Sequence, residues 1–272
     1  MRPLLTRLFT STHIAMAAAS SSSSPSRRLA HLTRHLAAAS SSGELSSVGA
    51  PDAAADAVAA KIQRPAGSKV HAAVLVCLFE DPSGGPRVLL TKRASSLSTH
   101  SGEVSLPGGK VDEGDADAKA TALREAKEEI GLDPELVSVV TVLEPFLSKN
   151  GLKVVPVIGM IPDKASFKPI LNKAEVEDIF DAPLEMFLKF QLVLHQQDDH
   201  RRTKQMNWMG KDIPVQFFDY EADGKKFVIW GLTAHILTRA AAVVFQRQPS
   251  FVELPRLKYA PVAGTDTDET KP

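Results

Sequence analysis

Glu125, Glu128 and Glu129 crowd three carboxylates into five residues, downstream of the turn Gly108-Gly109-Lys110. On a helix, at about 100° per residue, all three project from one side. Like charges so spaced repel by about 0.2–0.5 kcal/mol per pair, so the crowding needs a reason. Leu123, Ala126 and Ile130 recur at helical steps on another face. The pattern predicts a helix that buries one side and gathers acid on the other. A divalent cation would supply the reason, because hard cations such as Mg²⁺ take oxygen ligands. The alternative is a solvated acidic face, the usual state of exposed charge.

The flanking sequence predicts what must hold this helix. Val70 to Phe79 is a near-continuous apolar run and predicts a buried strand. Arg87 to Lys92 predicts a second strand, joined to the first as a hairpin across Asp81-Pro82-Ser83-Gly84-Gly85-Pro86. Glu103 to Pro107 is short and extended, and Pro107 excludes helix before the glycine turn. The acidic loop Asp112 to Asp117 suits the positive end of the helix that follows. Gly131 is placed to close that helix in a left-handed cap. Leu136 to Leu143 and Val154 to Ile161 are β-branched runs and predict strands. Asn172 to Asp178 is an acidic segment, Leu184 to Phe190 predicts a short helix, and residues 195–212 read as a polar loop. His195 and His200 in that loop make no metal pattern, since imidazole suits Zn or Cu better than Mg. Val215 to Tyr220 and Lys226 to Trp230 flank Ala222-Asp223-Gly224 as a hairpin, and Trp230 to Phe245 predicts a helix. Strand runs around one central and one late helix predict an α+β domain, layered α/β/α.

Composition bounds the rest. The formal net charge of zero gives no field for nucleic acid. No apolar run of about 18 residues predicts a membrane span. Cys77 is the single cysteine, which fits a reducing compartment; its apolar neighbours predict a buried small hydrophobe rather than a catalytic thiol. Residues 1–43 are rich in Ser, Ala and Arg and contain no Asp or Glu. That composition predicts an organellar transit peptide, mitochondrial first and plastid second. Residues 44–69 read as a linker with a short helix, 70–250 as the folded domain, and 251–272 as a disordered tail. Nothing in the sequence fixes an oligomeric state.

The residues from Gly109 to Leu132 resemble a Nudix box, G-x5-E-x7-R-E-U-x-E-E-x-G-U with U apolar. Arg124, Glu125, Ala126, Glu128, Glu129, Gly131 and Leu132 match its second half. The first half departs. Asp115 stands where Glu is usual, and eight rather than seven residues separate it from Arg124. A second stretch resembles the coenzyme A pyrophosphatase branch: Leu89-Leu90-Thr91-Lys92-Arg93-Ala94, then Gly102, then Leu106-Pro107-Gly108-Gly109. Ser98 replaces an Arg of that pattern and Leu106 a Phe.

The resemblance implies a Nudix fold, an α/β/α sandwich with a mixed central sheet. It also implies Mg²⁺- or Mn²⁺-dependent hydrolysis of coenzyme A or acyl-coenzyme A to 3′,5′-ADP and 4′-phosphopantetheine or its acyl form. Another nucleoside diphosphate derivative, such as ADP-ribose or NADH, is the alternative substrate. A catalytically silent nucleotide-binding module is the third reading. On this resemblance Glu125 and Glu129 are direct metal ligands, Glu128 a direct or water-mediated one, and Arg124 holds the helix geometry by pairing with Glu128. Gly108 and Gly109 bring backbone close to metal or phosphate. Lys92 and Arg93 meet the 3′-phosphate. Glu175, in a segment resembling the family's later acidic loop, is the candidate general base, with Glu177 as runner-up.

Overall fold

A computed structural model of the chain describes Arg34 and residues 71–148, 150–189, 201–208 and 211–250. Apart from Arg34, the transit peptide, the linker, His195, His200 and the tail expected from sequence lie outside these residues.

Strand β1 (His71–Glu80) is the spine. It pairs antiparallel with β2 (Pro86–Arg93) and with β4 (Gly108–Lys110), and parallel with β7 (Lys153–Met160). The short β3 (Val104–Ser105) and β8 (Val176–Pro183) pair with β2. β5 (Ser138–Val142) and β6 (Phe146–Leu147) pair with β7. One parallel pairing among antiparallel ones makes the central sheet mixed. A second sheet runs β11-β10-β9, from β9 (Arg201–Trp208), β10 (Lys211–Ala222) and β11 (Lys225–Trp230).

Side chains alternate across a strand, so β1 serves two cores. Ala73, Leu75, Cys77 and Phe79 pack with Ala126 and Ile130 of helix α1 (Ala118–Ile130). Ala72, Val76 and Leu78 join Leu90, Phe180, Phe218, Phe227 and the alanine-rich inner side of helix α2 (Gly231–Phe245). Phe180 and Phe227 stack with ring centroids 3.8 Å apart and fasten the second sheet to the first. The α/β/α layering expected from sequence is therefore present, with the small sheet sharing the α2 layer. Cys77 is fully buried, and burial pushes its thiol up to about 12.

Three expectations need correction. The acidic segment ending at Asp178 runs directly into β8, whose Glu177, Asp178 and Asp181 sit on its open sides while Val176, Phe180 and Ala182 are buried. Residues 201–208 and 211–212 belong to strands rather than to a polar loop. Arg201, Thr203 and Lys204 can stay polar there because β9 is the edge of its sheet, where charge discourages stray pairing. The residues between Leu184 and Phe190 make only a 3-10 turn, Leu184–Phe187.

Helix α1 is closed as its sequence predicts. Asp117 caps the start by accepting from the Ala120 N–H at 2.9 Å. Gly131 ends it with φ 69°, donating to Lys127 O at 2.9 Å. A methyl at Gly131 would approach Ile170 Cβ to 2.9 Å, whereas one at Gly224, with φ 72°, meets nothing within 4 Å. Both Ala variants carry the left-handed backbone cost of about 1 kcal/mol. Chemical denaturation should therefore show Gly131→Ala losing more stability than Gly224→Ala, by about 1 kcal/mol for the added clash. Equal losses would mean the Ile170 contact yields freely.

Candidate active site

The site forms where β4 passes beneath the acidic face of α1. β4 is held from the other side by β1, with Gly108 opposite Val74 and Gly109 opposite Ala73. Gly108 takes φ 151°, and a side chain there would strike the β1 backbone. At Gly109 a Cβ would fall 2.5 Å from the carboxylate of Glu125. The two glycines let the helix carboxylates rest on bare backbone.

Glu129 lies deepest. It is 4% exposed and accepts from the Gly108 N–H at 3.1 Å. Burial raises its carboxyl from the ordinary 4.5 to about 7; the Gly108 hydrogen bond and Arg93 oppose the rise, while Glu125 and Glu175 add to it. Glu125 is also raised, first by burial, then by Glu128 and Glu175, against the pull of Arg124. The structure thus brings Glu125, Glu129 and Glu175 within one electrostatic neighbourhood, with Arg93 at its edge.

Glu128 is turned away. Its Oε2 accepts from Arg124 Nη1 at 3.0 Å, and its side chain is 55% exposed. The i,i+4 pairing expected from sequence is present. Arg124 does more than that pairing. Its Nε and Nη2 donate to the two oxygens of Asp115 at 3.0 Å each, and Nη2 also reaches Glu125 Oε1 and the Lys110 carbonyl. Asp115, with a side chain 5% exposed, is the fork's main partner. That bidentate bond holds the Asp115 carboxyl well below the usual range and the Arg124 guanidinium above its own. The irregular loop is thereby explained. Across that loop Asp115 reaches Arg124 with both of its oxygens.

The two candidate cations separate. Between Lys92 and Arg93 the β2–β8 register slips: Lys92 faces Asp178, Arg93 faces Val176, and Glu177 is the bulged residue. Lys92 Nζ donates to Glu177 Oε1 at 2.6 Å, and Ser95 Oγ to its Oε2 at 2.5 Å. These bonds hold the Glu177 carboxyl below its ordinary value. Arg93 goes to the other side, toward Glu129. Its Nε is buried with no hydrogen-bond partner among the described residues, an unusual state for a buried donor. Glu175 is half-buried and accepts from Asn172 Nδ2 at 3.0 Å. Sequence reasoning missed Asn172 and the Asp115 pairing; the first had no signal beyond residue type, the second only a spacing irregularity.

Residues 69–209 match the family model described as the NUDIX domain, more than half of the 272-residue chain. The chain belongs to the Nudix hydrolase superfamily. Nudix hydrolase 15, mitochondrial, of Arabidopsis thaliana is 58% identical over 190 residues, covering 70% of this chain and 64% of that protein. Nudix hydrolase 22, chloroplastic, from the same plant is 58% identical over 190 residues, covering 70% and 60%. The peroxisomal coenzyme A diphosphatase NUDT7 of Mus musculus is 36% identical over 166 residues, covering 60% and 66%. The chain spans less than two thirds of the length of both plant relatives.

The Nudix fold generally works with a divalent metal, and the residues present fit one. Glu125 and Glu129 are hard oxygen donors whose mutual repulsion and burial a cation would relieve. Among the described residues no three His, Cys, Asp or Glu side chains are already gathered to hold an ion; Glu128 is held by Arg124.

The raised Glu129 carboxyl has a measurable cost. The native state keeps its proton up to about pH 7 while the unfolded chain loses it near 4.5. The native state therefore binds more protons across that window, and stability falls as pH rises through it. The loss is on the order of 3 kcal/mol. In chelator-treated protein, Glu129→Gln should raise stability by about 1–3 kcal/mol at pH 8 and leave it nearly unchanged at pH 4.5. Denaturation curves at the two pH values check this; a variant destabilised at pH 8 would contradict the burial argument.

Proposed function

We propose that the protein hydrolyses the pyrophosphate bond of coenzyme A and its derivatives, giving 3′,5′-ADP and 4′-phosphopantetheine or its acyl form. The observation that carries this reading is Arg93, whose buried Nε has no hydrogen-bond partner among the described residues and whose charge acts on the buried Glu129 carboxylate. Arg93 ends the Leu89–Ala94 stretch that resembles the coenzyme A branch, so the branch-specific residue and the superfamily carboxylates converge. The similarity to the mouse coenzyme A diphosphatase supports the same substrate.

In this reading Glu125 and Glu129 hold Mg²⁺ or Mn²⁺, and Glu128 joins them directly or through water. A bound cation would neutralise phosphate charge and make a water more acidic. Gly108 and Gly109 let the phosphates approach the backbone, and Arg93 Nε donates to a phosphate oxygen. Glu175 takes a proton from the attacking water on its free carboxylate oxygen as the new P–O bond forms and the bridging P–O bond breaks. Glu177 is the weaker candidate base, because Lys92 and Ser95 already occupy its oxygens. Arg124 fixes Glu125 and the loop through Asp115.

The compartment is organellar, mitochondrion or plastid, in keeping with both plant relatives and with the composition of residues 1–43.

The test is a product assay on full-length protein with Mg²⁺ or Mn²⁺ over a panel of coenzyme A, acyl-coenzyme A, ADP-ribose and NADH. Mass analysis should show phosphopantetheine or its acyl form, with kcat/KM for a coenzyme A species at least about tenfold above the nucleotide derivatives, the scale of one substrate-specific hydrogen bond. Higher kcat/KM for ADP-ribose or NADH would move the assignment to that substrate class. No hydrolysis of any member would leave a binding module.

A further inference from the structure

Asn172 stands between the acidic helix and Glu175 and touches both. Its backbone N–H donates to the Glu129 carbonyl at 2.9 Å, on the last turn of α1. Two residues before it, the Ile170 N–H donates to the Ile130 carbonyl at 2.9 Å, so the segment is sewn to the helix end by two backbone bonds. These carbonyls are among the four that a helix leaves unpaired at its C-terminus. From there the chain turns sharply. The Asn172 carbonyl accepts from both Glu175 N at 2.9 Å and Val176 N at 2.8 Å, and the Glu175 carbonyl accepts from Ala94 N at 2.8 Å, just past Arg93.

The side chain is oriented by its own turn. Asn172 Oδ1 accepts from the Ala174 N–H at 3.2 Å, which fixes which end of the amide is oxygen. Nδ2 therefore faces Glu175 and donates to its Oε1 at 3.0 Å. One of the Glu175 carboxylate oxygens is thus held, and the other makes no hydrogen bond among the described residues. The backbone that carries this amide is bonded to the very residue, Glu129, whose carboxylate lies deepest in the site.

We propose that Asn172 is a positioning residue for the hydrolysis: it ties Glu175 to the helix that carries Glu125 and Glu129, and sets the carboxylate's orientation toward them. This rests on the reading of Glu175 as the base. The catalytic acid–base group in such a site must sit within hydrogen-bond reach of its proton, and small misplacements are costly. A loop glutamate has several rotatable bonds, and only the Asn172 amide restrains its carboxylate among the hydrogen bonds described for it.

Asn172→Asp is the informative variant. It keeps the shape and the Oδ1 acceptor for Ala174, so the turn persists, but it removes the donor and sets a carboxylate against Glu175. Asn172→Ala serves as a second variant without the added charge. Both are assayed in the full chain on coenzyme A and ADP-ribose with Mg²⁺, alone and combined with Glu175→Gln. The expected result is a fall in kcat of about tenfold or more, with KM changed less than about twofold, and no further loss when either variant is added to Glu175→Gln. Unchanged kcat in both single variants would overturn the proposal. So would a loss that multiplies with that of Glu175→Gln, since it would mark a merely structural role. If Glu175→Gln itself keeps wild-type kcat, the base assignment fails and this proposal falls with it, a result told apart by the single variant alone.

Discussion

The site depends on one close approach: a two-glycine strand beneath a helix face of carboxylates. β1 fixes that strand from one side by pairing Ala73 with Gly109 and Val74 with Gly108. Glu125 and Glu129 press on it from the other, one filling the space a Gly109 side chain would need, the other taking the Gly108 amide proton. Glu129 is buried and Glu125 half-buried; withdrawing two nearby carboxylates from water disfavours their charged forms, and both are raised accordingly. A protein that needed only a stable helix would place apolar or neutral residues there. A divalent cation beside them would favour the charged form of both carboxylates.

Arg124 keeps that cost local. Its planar fork binds Asp115 with two parallel bonds, then reaches Glu125, Glu128 and the Lys110 carbonyl. A lysine offers a point charge and could not bridge loop, strand and helix at once. The loop before α1 therefore contributes geometry to the site, with Asp115 acting on the arginine. Its longer, irregular spacing conserves this contact because side-chain reach and loop length trade against each other.

Much of this was legible in the sequence, for identifiable reasons. Helix α1 announced itself through the apolar steps at Leu123, Ala126 and Ile130 and through Gly131, because local periodicity and cap chemistry depend on neighbours in the chain. The hairpin β10–β11 was marked by Asp223-Gly224 for the same reason. β8 was hidden because Glu177, Asp178 and Asp181 face outward and one residue is bulged, which masks the alternation. β9 was hidden because an edge strand can be polar throughout. At the site, residue types identified Glu125, Glu128, Glu129 and Arg124, but not how they divide. That Lys92 is engaged by Glu177, and that the charge of Arg93 acts on Glu129, are consequences of register and packing between distant segments. No spacing rule along the chain encodes them.

We propose that half-buried Glu125 and buried Glu129 together hold a divalent cation. Calorimetric titration of Mn²⁺ into the full chain at pH 7, in two buffers of different ionisation enthalpy, tests it most directly. With Glu129 poised at about 7, binding should release about half a proton per ion from that group, and the observed heat should differ between buffers accordingly. Glu129→Gln should abolish the buffer dependence and weaken binding. Mn²⁺ binding with no proton released, or undiminished in Glu129→Gln, would contradict the claim.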